Sequence, residues 1–304
     1  MMENLSYRIG GHSLVLDTPD ATITSGILPN FVPFRTPLRE EETPLLRLSG
    51  QTALFSLQAD YTVQDRFLWN GIHYDVRRNP VGEWAVGMRH EGVTHTLCAS
   101  RDWKHLSVDF ALTDATTYFF LNHFLVAAYG MSTAPLRTLK VHASVIELYG
   151  QALLFLGESG TGKSTHSRLW QEHVPGCTLL NDDEPVVRLD SNNIPRVYGT
   201  PWSGKTPCYR NAEAHIAAFV LLRQAPFNRL TQLKGQEAFK PLFGSCCMMR
   251  TDAENKNHVF NTVADILECT PVYLLECLPD AGAVELTRQL MPARPISTQG
   301  GTAE

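Results

Sequence analysis

The chain has 304 residues, enough for one large core or two modest ones. Its hydrophobic share of 43% is that of an ordinary globular protein, which excludes a disordered or fibrous chain. A formal net charge of −5, with no Lys/Arg-rich run, argues against a nucleic-acid partner or a membrane surface.

Met1-Met2-Glu3-Asn4-Leu5 lacks a basic region followed by an apolar one, so no secretory signal is expected. Residues 1 to about 113 read as β-rich. Leu54–Leu57, Ile72–Val76, Trp84–Met88, Thr94–Leu97 and Leu106–Phe110 are short strand-like runs. Asn70-Gly71, Asn79-Pro80, Glu91-Gly92 and Arg101-Asp102 separate them as turns, and the pattern predicts an antiparallel meander. Residues 18 to 50, rich in Pro and Thr, read as irregular. Ala115 to Tyr129 is apolar nearly all round and predicts a buried helix, with Gly130 to Pro135 as a connector. The longest apolar stretch, Tyr118 to Met131, contains Asn122 and His123 and is too short to cross a bilayer. Seven cysteines without a C-x-x-C pair, two of them adjacent at Cys246-Cys247, point to reduced thiols in a cytoplasmic protein.

The second half carries the chemistry. Val141 to Leu148 reads as a strand, turns at Tyr149-Gly150-Gln151, and returns as the apolar strand Ala152–Leu156. Gly157-Glu158-Ser159-Gly160-Thr161-Gly162-Lys163-Ser164-Thr165 follows, a Walker A pattern, G-x-x-x-x-G-K-[ST]. Gly157, Gly160 and Gly162 let the backbone wrap an anion, so that amides such as those of Ser159, Thr161 and Thr165 face phosphate oxygens. Lys163 is expected to reach the β- and γ-phosphates and the Ser164 hydroxyl to ligate Mg²⁺. Lys163 to His173 reads as the helix that aims its positive end at the same charge, stopping at Pro175-Gly176. The motif therefore has its strand before and its helix after, and predicts a bound nucleoside triphosphate, by default ATP, with Mg²⁺.

If the hairpin turns near Gly150, His142 falls opposite about Ser159 and its imidazole comes near the γ-phosphate. A strand histidine that merely packs is the plainer alternative. Cys177–Leu180 reads as the next strand, ending in Asn181-Asp182-Asp183-Glu184. Ligands in open α/β sheets lie beyond the carboxyl ends of strands. There one acid would help hold Mg²⁺ and another would accept the proton of an attacking hydroxyl. A solvated acidic turn is the alternative. Tyr198 to Lys205 reads as a shaped loop at a pocket, with Lys205 or Arg210 touching an anion or simply facing solvent. Ile216–Leu222 and Pro271–Leu278 read as strands, Gly235–Phe243 and Asp280–Met291 as helices, and the tail from Pro292 as loose.

Val141-His142-Ala143-Ser144-Val145, Gly157 to Thr165 and Leu180-Asn181-Asp182-Asp183 together resemble the catalytic domain of the HPr serine kinase/phosphorylase family, over about residues 135 to 290. That family's fold is related to ATP-dependent phosphoenolpyruvate carboxykinase. The resemblance implies that Lys163 and Ser164 serve phosphate and Mg²⁺, that His142 lies near the transferred phosphate, and that Asp182 is the general base. Asp183 is then its neighbour and, with Ser164, the Mg²⁺ ligand. The glycine-rich segment that HPr kinases carry after the Asp-Asp pair has no counterpart here; Gly199-Thr200-Pro201-Trp202 occupies that region. The β-rich first half followed by this domain looks like HPr-kinase-like proteins rather than HPr kinase itself.

The expected fold is thus α/β (α+β). A β-rich antiparallel domain with a linking helix spans 1–134, and a P-loop kinase-like domain related to HPr kinase and PEP carboxykinase spans 135–304. The expected activity is transfer of phosphoryl from ATP to a hydroxyl, on the serine of a protein or peptide or on a small metabolite. A carboxykinase-like lyase and a nucleotide-sensing module without turnover are the alternatives, and self-association into a homo-oligomer is compatible with the sequence.

Overall fold

The computed structural model describes residues 2–50, 60–69 and 71–291. The strand expected at Leu54–Leu57, Asn70 of the first turn and the tail from Pro292 lie outside the described residues. Within them the chain is mixed α/β, built on two mixed sheets.

The first sheet takes β1 (Glu3–Ile9), β2 (His12–Thr18), β3 (Leu46–Gly50), β4 (Thr62–Trp69), β5 (Ile72–Arg78), β6 (Trp84–His90), β7 (Val93–Ala99) and β8 (His105–Val108). Their order is β1-β2-β3-β8-β7-β6-β5-β4. From β5 to β8 it is the expected antiparallel meander, to which β4, not expected from the sequence, adds antiparallel at β5, but β3 runs parallel to both β2 and β8. The purely antiparallel expectation is corrected there, because the 18–50 stretch is not wholly irregular. It holds α1 (Ala21–Ile27), capped by the Asp20 side chain, and the strand β3, whose Leu46 and Leu48 enter the core. The crossover is long enough to return β3 parallel to β2.

Helix α2 (Tyr118–Thr133) covers this sheet and buries Phe120, Leu121, Phe124, Leu125, Ala128 and Tyr129 against Tyr7, Leu14, Trp84 and Met88. It runs through the expected connector as far as Thr133. Gly130 lies inside the helix, where a Cβ would stand 3.1 Å from Cys247 Sγ, so the glycine serves a close approach and not a helix end.

The second sheet follows, with β9 (Thr138–Lys140), β10 (Ala143–Leu148), β11 (Gln151–Leu156), α3 (Lys163–His173), β12 (Thr178–Asp183), β13 (Val186–Leu189), β14 (Pro195–Tyr198), β15 (Glu213–Gln224), β16 (Arg229–Leu233), α4 (Gln236–Gly244), α5 (Ala253–Cys269), β17 (Val272–Cys277) and α6 (Ala281–Arg288). Strand β11 lies between antiparallel β10 and parallel β15. Its side chains alternate, as a strand buried on both faces requires. Leu154 and Leu156 pack under α5 with Val259, Val263 and Ile266, while Leu153 and Phe155 pack under α3 and α6 with Trp170 and Val284. Both β11 and β12 run antiparallel to β10, so their carboxyl ends emerge on the same side.

The two halves are joined by more than α2. Val186 and Trp202 of the second half belong to the first half's core, where Trp202 meets Phe31 and Tyr129 edge-on or tilted. His12 on β2 lies 3.0 Å from the Thr138 hydroxyl on β9. Burial, helped by the Arg188 charge, lowers the His12 pKa from an ordinary 6.5 to about 4. The unfolded chain then takes up this proton before the folded chain does, and the stability tied to neutral His12 is lost as pH falls from about 6.5 to about 4. The drop in thermal midpoint between pH 7.5 and pH 5 is therefore expected to be smaller in His12→Asn than in the wild type. Equal drops would show that His12 does not couple the joint to pH.

Candidate functional site

At the carboxyl end of β11 the chain enters the Gly157–Gly162 loop. Gly157, Gly160 and Gly162 take φ values of 146°, 83° and 106°, a region open to glycine and strained for other residues. At Gly157 space is closed as well, since a Cβ would stand 2.6 Å from Thr161 Oγ1. Thr161 braces the loop, its amide and hydroxyl both donating to the Glu158 carbonyl. Ser159 and Gly160 are exposed at the tip, and Thr165 lies in the first turn of α3. α3 starts at Lys163 and ends at His173, the span expected from the sequence. Its N-cap is Gly162, with no side-chain cap, so its first amides are offered to whatever lies above the loop.

Lys163 is buried and folds back over the loop. Its ammonium donates to the Gly157 and Glu158 carbonyls at 2.8 and 3.2 Å and to His142 Nε2 at 3.0 Å. Burial lowers its pKa, against the opposing charges of Asp183 and Asp182. Because Nε2 accepts from an ammonium, the proton of neutral His142 is assigned to Nδ1. Nδ1 lies 2.8 Å from Asp183 Oδ1, off the hydrogen-bond axis. His142 thus reaches the loop as expected, though by another route. The β10–β11 ladder stops at Ser144 opposite Phe155, one residue from the expected register. His142 lies beyond it, its amide bonded to the Ser245 carbonyl and its ring turned to Lys163.

The acids at the end of β12 divide between two directions. Asp182 is 3% exposed and accepts the Ser164 hydroxyl on Oδ1 at 2.9 Å. Asp183 faces His142 instead, with φ at 116°, a conformation rare outside glycine and a mark of stored strain. The oxygen beside Ser164 therefore belongs to Asp182, whereas the expectation set Asp183 beside Ser164 as the Mg²⁺ ligand. Strand alternation is the physical reason, since neighbouring side chains leave a strand on opposite faces. Burial would raise the Asp183 pKa, but His142, Lys140 and Lys163 together hold it below the usual carboxylate range.

Glu184 completes the run. It forms a buried ion pair with Lys140, both side chains about 10% exposed or less. Burial would lower the Lys140 pKa, but Glu184, Cys247 and Asp183 together hold it above its ordinary value. Tyr74, from the first sheet, is close enough to feel Lys140 and Glu184, and burial pushes its pKa up to about 12. Neither Lys140 nor its pairing was legible in the sequence, because a lysine beside a valine on a short strand carries no signal of burial.

A second support is the Asn181 amide, which donates to Thr200 Oγ1 and the Trp202 carbonyl while its own carbonyl accepts the Glu184 amide. The loop after β14 closes on the same strand end. Gly204 N and Ser203 Oγ both donate to the Asp182 carbonyl, at 2.6 and 3.0 Å. Of the two cations expected at this loop, Lys205 is exposed and Arg210 turns back to Thr178 Oγ1 and the Leu179 carbonyl.

Ligand-capable atoms of His142, Asp183 and Glu184 all lie within 4.8 Å of one another. No helix among the described residues is long and apolar enough to cross a membrane. No protein-family model matches the chain, and no curated protein matches it. The reading of the site therefore rests on its residues and their geometry.

Proposed function

We propose that the chain transfers the γ-phosphoryl group of ATP to a hydroxyl, in the manner of the HPr kinase-like proteins it resembles. The observation that carries this reading is one constellation: Lys163 over the glycine loop, His142 on Lys163, and Ser164 on Asp182. Exposed loop amides and an uncapped helix start suit a polyphosphate. The donor set also fits Mg²⁺, for Ser164 Oγ and Asp182 Oδ1 are hard oxygens 2.9 Å apart, with Asp183 at the same strand end. When bound, the ion would neutralise charge on the phosphates.

The chain's own groups would do the rest. Lys163 would hold the β- and γ-phosphates, with its charge screened from water by burial. His142, fixed between Lys163 and Asp183, would set the position of the transferring group. Asp182 has one oxygen on Ser164 and no other hydrogen-bond partner for its carboxylate among the described residues, so its second oxygen can take the proton of an acceptor hydroxyl. Placement and electrostatics supply most of the rate in such transfers.

Asp182→Asn is expected to keep ATP-dependent thermal stabilisation and to lose acceptor-dependent ADP release by about 10²-fold or more. Transfer surviving within about tenfold would remove Asp182 from the role of base. A carboxykinase-like lyase is a second reading, favoured by the His142, Asp183 and Glu184 cluster, which pairs an imidazole with carboxylates as Mn²⁺ sites do. ATP- and Mn²⁺-dependent loss of CO₂ from oxaloacetate would select it over the kinase.

A further inference from the structure

The α3 residues Ser164, Ser167, Arg168 and Gln171 recur at helical spacing and so form one stripe. Ser167 is buried and hydrogen-bonded to Ser144. The stripe, with Thr165, borders an open cleft of about 260 Å³, whose other walls are Leu179 and Asp182 of β12 and Thr206 of the loop after β14. This cleft lies on the flank of α3 where Ser164 meets Asp182. Asp182 closes its inner end and Arg168, with its side chain 68% exposed, stands at its mouth.

The lining is chemically lopsided. Hydroxyls, an amide and one guanidinium surround the acid, and Leu179 is the only apolar member. At about 30 Å³ for each water-sized group, the space takes roughly nine such groups. That is the volume of a small molecule. Arg168 is held by Glu172 one turn on, at 3.7 Å in solvent, a pair weak enough to yield to a better anion. Guanidinium prefers carboxylate among such anions because it binds both oxygens at once.

We propose that this cleft is the acceptor site and that the acceptor is a small hydroxylated carboxylate, its hydroxyl at Asp182 and its carboxylate at Arg168. The assignment rests on the phosphoryl-transfer reading. In the step it serves, the acceptor oxygen forms a bond to the γ-phosphorus and the bond from that phosphorus to the β,γ-bridging oxygen breaks. The electron pair leaves with ADP, the hydroxyl proton passes to Asp182, and the products are ADP and a phosphomonoester.

The test uses the full chain with Mg²⁺ and ATP, and follows ADP release and phosphomonoester formation with paired probes: glycerate against glycerol, and serine against serinol. The expected result is turnover with a carboxylate member of a pair and at least tenfold less with its neutral partner. Arg168→Gln is expected to raise the KM for the carboxylate probe at least tenfold while leaving ATP-dependent thermal stabilisation unchanged; Arg168 is exposed, so the variant should fold. If ATP stabilises the wild type but carboxylates show no advantage, or Arg168→Gln leaves KM unmoved, the cleft assignment falls alone. If ATP does not stabilise the wild type at all, the phosphoryl-transfer reading falls and takes the cleft assignment with it.

Discussion

Lys163→Ala is expected to erase the thermal stabilisation that Mg²⁺ and ATP give the wild-type chain. A ligand present at about 100 times its Kd stabilises the folded state by about 2.7 kcal/mol, and the variant should show almost none of this. The reason lies in where the ammonium sits. It lies on the loop itself, touching the Gly157 and Glu158 carbonyls and His142, with Asp182 and Asp183 close enough to pull on its charge. Without it, a triphosphate would approach two carbonyl oxygens and two carboxylates with no counter-charge from the loop. Glycine-loop amides alone would not offset that repulsion. Equal stabilisation of variant and wild type, measured by thermal shift across an ATP titration, would show that the loop is not the phosphate site.

The second large effect is expected at the Lys140–Glu184 pair. Glu184→Ala should destabilise the chain by about 3–5 kcal/mol, because it leaves a buried ammonium without its partner. Lys140→Met should be costly for the mirror reason. The double variant Lys140→Met with Glu184→Met should recover much of the loss, since the charges are then removed together. Urea unfolding of the four proteins closes the cycle. Additive losses would mean that the two groups do not depend on each other. Loss of the pair should also disturb the site, because Glu184 follows the strained Asp183 directly and its amide is held by Asn181.

The second half was legible where local pattern and buried position agree. Ala152–Leu156 is apolar because both faces are covered, and the Gly157–Thr165 loop needs glycine at positive φ, so each left its mark on the residue types. Helix α3 was found to the residue, because Lys163 opens it and Pro175-Gly176 ends it. Helix α5 was missed. Its inward face is written with Asn255 and Thr262 as well as Val259, Val263 and Ile266, so the apolar period is broken. The hairpin of β13 and β14 was missed because its strands are four residues each. Strand β3 was hidden in a Pro/Thr-rich stretch by its shortness, and its parallel pairing depends on partners more than fifty residues away in β8, which no local signal reports. Within the site, the types of His142, Asp182 and Asp183 were readable. That Ser164 would choose Asp182, and that Lys140 would neutralise Glu184, depends on the register of β12 against β10 and on burial from the first half, neither of which is local.

Trp202 makes the first half a mechanical part of the site. Its ring lies in the first half's core beside Phe31 and Tyr129, while its carbonyl holds Asn181 and the next two residues grip the Asp182 carbonyl. Asn30 adds a bond from the first half to the Pro201 carbonyl. A few covalent links therefore separate the packing of an aromatic cluster from the orientation of the candidate base. Any event that loosens α2 or the segment around Phe31, whether a docking partner or a distant substitution, would be transmitted as a tilt of one strand end. The first half can thus tune the site as a lever does.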